Sequence, residues 1–405
     1  MFKTLFLKEC KETLKSITYY IFLACIIMFF VTQMGSIGGI SKPMPNQESY
    51  GSKYSDDKNI IMQSTVDRLA YEFKTNSYTT YPLGFYKEVK LNDDEISKVY
   101  KKLEDITGIK EAQLIKKFKS YHTDTMHMPE VEFIKVKDNI TFEEFSKYIG
   151  EIDNILGGAS FYFNPKQLYL NVDVEMTYDD VLKDYESIIN NDKISRAGAR
   201  IFSDYMGIVL AILPVFLAVT RVSKDKRAKA QQVIFSKQCS SATIILSRYL
   251  AIIAMIIIPL ILISITPTLQ SIYCASSNGI SADYFAFIKA IFGWLMPTVL
   301  VTVSMGFLLT ELTSGLIAIL VQGIWWFLTI LSCGVNLVGN VGMKLIPRFN
   351  SFGDYGIYKE VFNELVINRA LYTIFAVVLI VITIFVYDIK RKGKLNLNGK
   401  IFKNS

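Results

Sequence analysis

Six apolar segments, each long enough to cross a bilayer, dominate this chain of 405 residues. A hydrocarbon core about 30 Å thick takes roughly 20 helical residues at about 1.5 Å each. Ile17–Met34, Phe202–Thr220, Ala242–Thr266, Tyr284–Leu309, Thr313–Cys333 and Asn368–Tyr387 meet that length. Charge is concentrated between these segments, so the sequence predicts a polytopic α-helical membrane protein with six transmembrane helices.

Lys and Arg in short flanks orient such a chain, because basic flanks stay on the cytoplasmic side. The amino-terminal flank carries Lys3, Lys8, Lys11 and Lys15. The loop after the second span carries Arg221, Lys224, Lys226, Arg227, Lys229 and Lys237 against Asp225 alone, and the tail carries Lys390, Arg391, Lys392, Lys394, Lys400 and Lys403. The loop near Ser276 has no basic residue, and Lys344, Arg348 and Lys359 are balanced by Asp354, Glu360 and Glu364. Both termini are therefore expected in the cytoplasm. The first span is too long for a signal-peptide core, and Thr32-Gln33-Met34-Gly35 offers no small-x-small cleavage site. Ahead of it, Phe2, Leu5, Phe6 and Leu14 share a helical face opposite lysines, which predicts a helix lying in the membrane surface. Residues 1–40 thus read as an interfacial helix plus the first span.

Residues 41–200 carry a net charge of −5, whereas the remainder carries +12. The basicity belongs to the membrane flanks, and nothing points to nucleic acid. This segment reads as an α+β extracytoplasmic domain between the first two spans, long enough to bury its own core. None of the five cysteines lies in it, so it is held without disulfides. After a helix near Ile60–Phe73, a strand-then-helix pattern recurs at Phe85–Leu91, Val131–Lys137 and Leu168–Met176. Asn92, Thr141 and Thr177 stand where helix caps belong. His122, Asp124, Met126, His127 and Met128 offer metal donors, but their spacing fits no standard zinc pattern and no second ligand pair is evident. A polar loop is the expected reading, with no metal.

The chain has no Gly-x-x-x-x-Gly-Lys-Ser/Thr to cradle nucleotide phosphates and no Gly-x-Ser-x-Gly nucleophile turn. It is not expected to be an enzyme or to hold a cofactor. The spans also lack midplane carboxylates of the kind that ion-coupled carriers use. Asp204 sits at a span end within reach of water or Arg200, Arg248 is placed to snorkel to headgroups, and Glu311 lies in the turn between spans four and five. Energy must then come from another subunit. The basic loop offers a handle: Lys224–Lys237 can form a short helix with Val233, Ile234 and Phe235 as an apolar knob among Asp225, Arg227, Gln231 and Lys237.

The order of these parts resembles the permease subunits of ABC-2 type (type V-like) bacterial exporters. The likeness rests on the topology and on Arg200-Ile201-Phe202-Ser203-Asp204-Tyr205-Met206-Gly207, Pro214-Val215-Phe216, Asp225-Lys226-Arg227, Ser240-Ser241 and Arg248-Tyr249-Leu250-Ala251. It implies that residues 201–405 hold spans two to six, with a coupling helix at about 222–240 and a re-entrant segment at about 338–366. It implies contact with a cytoplasmic ABC ATPase, which would hold ATP and Mg, and with a second permease subunit, identical or homologous. The family's Glu followed by Gly-Thr, and its later Pro-x-(Ser/Thr)-Arg, are missing: Asp225 stands for the acid, and Ala228 and Ala230 for Gly-Thr. The expected function is outward movement of an amphipathic peptide, antibiotic or lipid-like cargo across a bacterial plasma membrane. Gln322, Trp325 and Trp326 in span five are a candidate cargo path. Alternatively, the tryptophans belong to the interfacial belt and Gln322 bonds a neighbouring helix. A membrane-anchored sensor, or a mechanotransmitting permease whose external domain binds a ligand, is the competing reading.

Overall fold

The computed structural model describes residues 1–34, 40–55, 57–82, 86–110, 134–162, 173–228, 230–333 and 337–393. The chain divides into two compact units, Met44–Val181 and the remainder. Both histidines, the expected strand starts at Phe85, Val131 and Leu168, and Lys229 lie outside the described residues.

The larger unit is a helix bundle. Its elements are α1 (Phe2–Leu14), α2 (Ile17–Gln33), α7 (Ser195–Leu210), α8 (Pro214–Arg227), α9 (Gln231–Phe235), α10 (Ser241–Ser277), α11 (Ala286–Leu312), α12 (Gly315–Leu331) and α13 (Tyr355–Arg391). Among the described residues, four helical stretches are long and apolar enough to cross a membrane: Ser195–Asp225, Ser241–Ser277, Ala286–Leu312 and Tyr355–Arg391. A fifth counts if α1 and α2, bent 71° to each other, make one span. Six spans were expected from the sequence. The helix Gly315–Leu331 has 17 residues, about 26 Å at 1.5 Å per residue, somewhat short of a hydrocarbon core. Ile258, Leu262, Leu320, Ile324, Val381 and Phe385 all face outward and are exposed. Helices that are apolar on their outer faces as well as their inner ones fit lipid rather than water. The chain is a multi-pass membrane protein.

The Ser195–Asp225 stretch is broken in the middle by Pro214, which has no N–H to donate. Ile212 N turns back to Val209 O (3.2 Å) and Val215 N to Ile212 O (3.2 Å). The carbonyls of Ile208 and Ala211 thereby lose their usual donors. Side chains replace them: Trp326 Nε1 donates to Ile208 O (2.9 Å) and Gln322 Nε2 to Ala211 O (2.6 Å). Beyond the break, α8 approaches α11 closely. A Cβ on Gly306 would lie 2.7 Å from the Ala218 Cβ and 3.2 Å from Val215.

Residues 338–366 do not form the expected short re-entrant helices. From Tyr355 onward they belong to the 37-residue helix α13, whose first turns carry Lys359, Glu360 and Glu364. The preceding loop instead folds inward, burying Val341, Leu345, Ile346 and Phe349.

The smaller unit contains α3 (Lys58–Thr75), α4 (Asp93–Thr107) and α5 (Phe142–Ile155), with α6 (Tyr178–Ser187) beginning at its end. Among the described residues, four three-residue strands, β1 (Ser52–Tyr54), β2 (Tyr78–Thr80), β3 (Lys87–Val89) and β4 (Asp173–Glu175), make two antiparallel pairs, β1 with β4 and β2 with β3. The helix starts fall where their caps predict. Asn92 with Glu95 and Thr141 with Glu144 form reciprocal capping boxes. Tyr78, Leu103, Ile106, Phe145 and Tyr162 are fully buried in its core.

Two carboxylates are buried in this unit among the described residues, Asp153, which accepts from Ser160 N and Oγ, and Glu72. Glu72 accepts the Tyr162 hydroxyl at 2.8 Å and faces Arg68 Nε at 3.4 Å. Burial pushes its pKa above the ordinary 4.5, outweighing both partners. The folded state therefore holds this proton to higher pH than the unfolded chain does. Stability from Glu72 is complete below about pH 4.5 and declines as pH rises through the folded value. Glu72→Gln keeps an acceptor for Tyr162 and removes the titration. Thermal unfolding of the full chain between pH 5 and 8 is expected to lose more stability in the wild type than in this variant. In the bundle, Gly306→Val is expected to lose about 1–3 kcal/mol or more by overpacking. Gly323→Ala, at a helix position with nothing within 4 Å of the added Cβ, is expected to be neutral or stabilising. The same melting experiment in detergent separates the two.

Candidate functional site

At the bundle end where α1, the end of α8 and the start of α10 meet, four charged side chains form a balanced network. Glu9 and Asp225 face Arg221 and Arg248. Glu9 takes both arms of the Arg221 guanidinium, Nη2 at 2.6 Å and Nε closer still. Asp225 accepts from Arg248 Nη2 at 2.5 Å and from Arg221 Nη1 at 3.3 Å. Arg248 Nε lies 3.6 Å from Glu9 Oε1. Glu9 and Arg248 are 7 % and 5 % exposed, so this is an interior network in which paired geometry decides the energy. Lys224 extends it outward to Glu12 at 2.5 Å.

The sequence produces this network through helix spacing. Arg221 and Asp225 are four residues apart on α8, and Glu9 and Glu12 are three apart on α1, so each pair shares a face. Arg248 lies about two turns into α10, so its side chain meets Asp225 and Glu9 where the sequence suggested headgroups. Glu9, although it is an acid in a lysine-rich helix, was not singled out by the sequence.

The loop that follows is held from another direction. Arg391, at the end of α13, donates Nε to Phe235 O at 2.9 Å and Nη2 to Lys237 O at 2.5 Å, and Nη1 to Cys239 O. Ser241 Oγ donates to Asp388 at 2.8 Å, and the Phe235 ring stands edge-on to Tyr387 at 5.5 Å. Lys390 pairs with Glu311 at 3.1 Å, which ties α13 to the end of α11.

This arrangement revises the expected handle. Lys224–Lys237 is not a single helix: Lys224, Asp225 and Arg227 complete α8, and only Gln231–Phe235 form the separate α9. Nor does the apolar trio project as a unit. Val233 is 61 % exposed, whereas Ile234 and Phe235 pack against the main core. Arg227 and Lys237 are exposed, and Gln231 is half-buried. Among the described residues of the loop, the exposed side chains include Val233, Arg227, Gln232 and Lys237.

The residues named for a cargo path lie elsewhere and contact neighbouring helices, although Gln322 Oε1 is buried without a hydrogen-bond partner. Gln322 is fully buried, and Gln322 and Trp326 satisfy the broken helix described above. Trp325 stacks on Tyr372 at 6.0 Å. Of the two sequence readings, bonding to a neighbouring helix matches Gln322. Asp204 does not pair with Arg200. It binds Arg348 through two contacts of 2.8 and 2.9 Å and accepts Phe349 N at 2.6 Å, which pins the inward loop.

Comparison with protein-family models, with curated proteins and with solved structures finds no match.

Removing one member of the network strands its partner's charge. Arg248→Met is expected to destabilise the chain by about 3–5 kcal/mol, read as a fall in melting temperature in detergent. Combining it with Asp225→Leu should cost less than the sum of the two single changes. Strict additivity would show that the pair is not coupled.

Proposed function

We propose that this chain is the permease subunit of an ATP-driven, ABC-2 type exporter. On this reading a separate cytoplasmic ATPase holds ATP and Mg and docks on the loop at 222–240. The chain makes six passes of a bacterial plasma membrane, α2, Ser195–Asp225, α10, α11, α12 and α13, with the shorter passes met by local thinning of the bilayer. Both termini are cytoplasmic, and the Met44–Val181 unit is extracytoplasmic. A second permease subunit, identical or homologous, completes the path for an amphipathic cargo.

The observation that carries the reading is the connectivity of the loop. Buried ion pairs tie Asp225 in the loop to α10 and Arg221 immediately before it to α1, and Arg391 ties the later loop residues to α13. A force applied at Val233 is thus delivered to helices from the beginning, middle and end of the chain. A loop that served only to retain positive charge in the cytoplasm would need none of these joints. The sequence itself has no nucleotide-binding loop, so the force has to come from a partner.

Val233 is the side chain to change, because Phe235 supports the fold. Purification from native membranes is expected to bring down an ATP-binding protein. Val233→Asp should lose that protein while keeping its melting temperature. Full retention of the ATPase by Val233→Asp, or ATP hydrolysis by the chain purified alone, would overturn the proposal.

A further inference from the structure

The opposite end of the bundle holds a pocket of about 480 Å³ between the starts of α7, α11 and α13. Four cations line it, Arg196, Arg200, Lys289 and Arg369, against two carboxylates, Asp192 and Asp283. Asp192 is taken by Arg200, at 2.5 and 2.7 Å. Asp283 is shared by Arg196 at 3.1 Å and Lys289 at 3.0 Å. Arg369 has no carboxylate partner among the described residues. It is 5 % exposed, and its donors go to neutral acceptors, Thr298 Oγ1 at 2.8 Å, Trp294 O at 3.1 Å and Asn368 Oδ1 at 2.8 Å among them.

The Arg369 donors are thus met while its charge is not, and two other residues lining the pocket carry unmet donors. The Trp294 indole N–H and the Arg200 Nε–H are buried with no hydrogen-bond partner. A buried donor left unmet is costly, and a buried positive charge without a counter-ion more so. Every imbalance here has the same sign: too many donors and too much positive charge. Such a lining suits an anion rich in oxygen acceptors.

The walls indicate what carries it. Phe362 and Val366 line the pocket and are also 45 % and 49 % exposed on the outer face of α13. The basic cavity therefore opens along an apolar, outward-facing helix surface. We propose that this pocket binds the phosphate headgroup of an anionic phospholipid, with the acyl chain running along Phe362 and Val366. The inference does not depend on the exporter reading, since it concerns no ATPase and no cargo.

The test uses the full chain in detergent and counts retained lipid by native mass spectrometry. Phosphatidylglycerol and phosphatidylcholine serve as probes, and inorganic phosphate as competitor. Phosphatidylglycerol should be retained in preference to phosphatidylcholine and resist millimolar phosphate. Lys289→Gln removes a solvent-exposed rim charge, and Trp294→Phe keeps the ring but removes the N–H. Each is expected to weaken phosphatidylglycerol retention by about tenfold, as for loss of one charge-assisted hydrogen bond. Unchanged melting temperatures would show that the fold survives. Equal retention of the two lipids, or unchanged retention in both variants, would overturn the proposal. Displacement by phosphate alone would overturn its lipid part by making a free anion the occupant.

Discussion

Burying an arginine in an apolar bundle is costly unless its charge is paired, and the carboxylates that meet Arg200, Arg221, Arg248 and Arg348 decide which helix ends are joined. Taking an ion out of water costs several kcal/mol even after relaxation, and only well-formed contacts recover it. At one end, Arg221 and Arg248 are met by Glu9 and Asp225, which brings an amino-terminal helix against the second and third apolar stretches. At the other, Arg348 is met by Asp204 and Arg200 by Asp192. Those pairs hold an irregular loop inside the bundle and close the connection that leads into Ser195. Each pairing links parts of the chain that packing of apolar faces alone would leave free to slide, because apolar contacts have no direction.

The broken helix follows the same accounting with backbone groups in place of charges. Pro214 cannot donate, and the turn around it diverts two further N–H groups. Orphaned carbonyls in hydrocarbon would cost several kcal/mol each. Gln322 and Trp326 satisfy them from the neighbouring helix, so the break and the polar residues of α12 are one feature. Bonding of Gln322 to a neighbouring helix, one of the two sequence readings, is what the geometry at the break displays.

The parts legible in the sequence were the local ones. Apolar runs marked the bundle helices, and Asn92 and Thr141 marked helix starts, because a cap acts over three positions. Contacts across long separations left no such trace. Nothing near Asp204 indicates Arg348, which is 144 residues away. Arg391 spends its donors on carbonyls of the 235–239 loop, and backbone acceptors are the same for any side chain. Arg248 and Glu9 did leave a signal, a lone cation inside an apolar run and an acid inside a basic helix. Read together, they would have pointed to each other.

The elbow at Lys15–Ser16 has a consequence for the whole bundle. If α2 stands along the bilayer normal, a helix bent 71° from it lies about 19° from the membrane plane. An amphipathic helix at that tilt would sit at the headgroup boundary with its apolar side down. Its Glu9 is bolted to Arg221, so the depth at which this float settles also sets the immersion of the rods attached to it. A thicker or thinner bilayer would lift or lower the assembly by its first thirteen residues, as a buoy sets the draught of what hangs beneath.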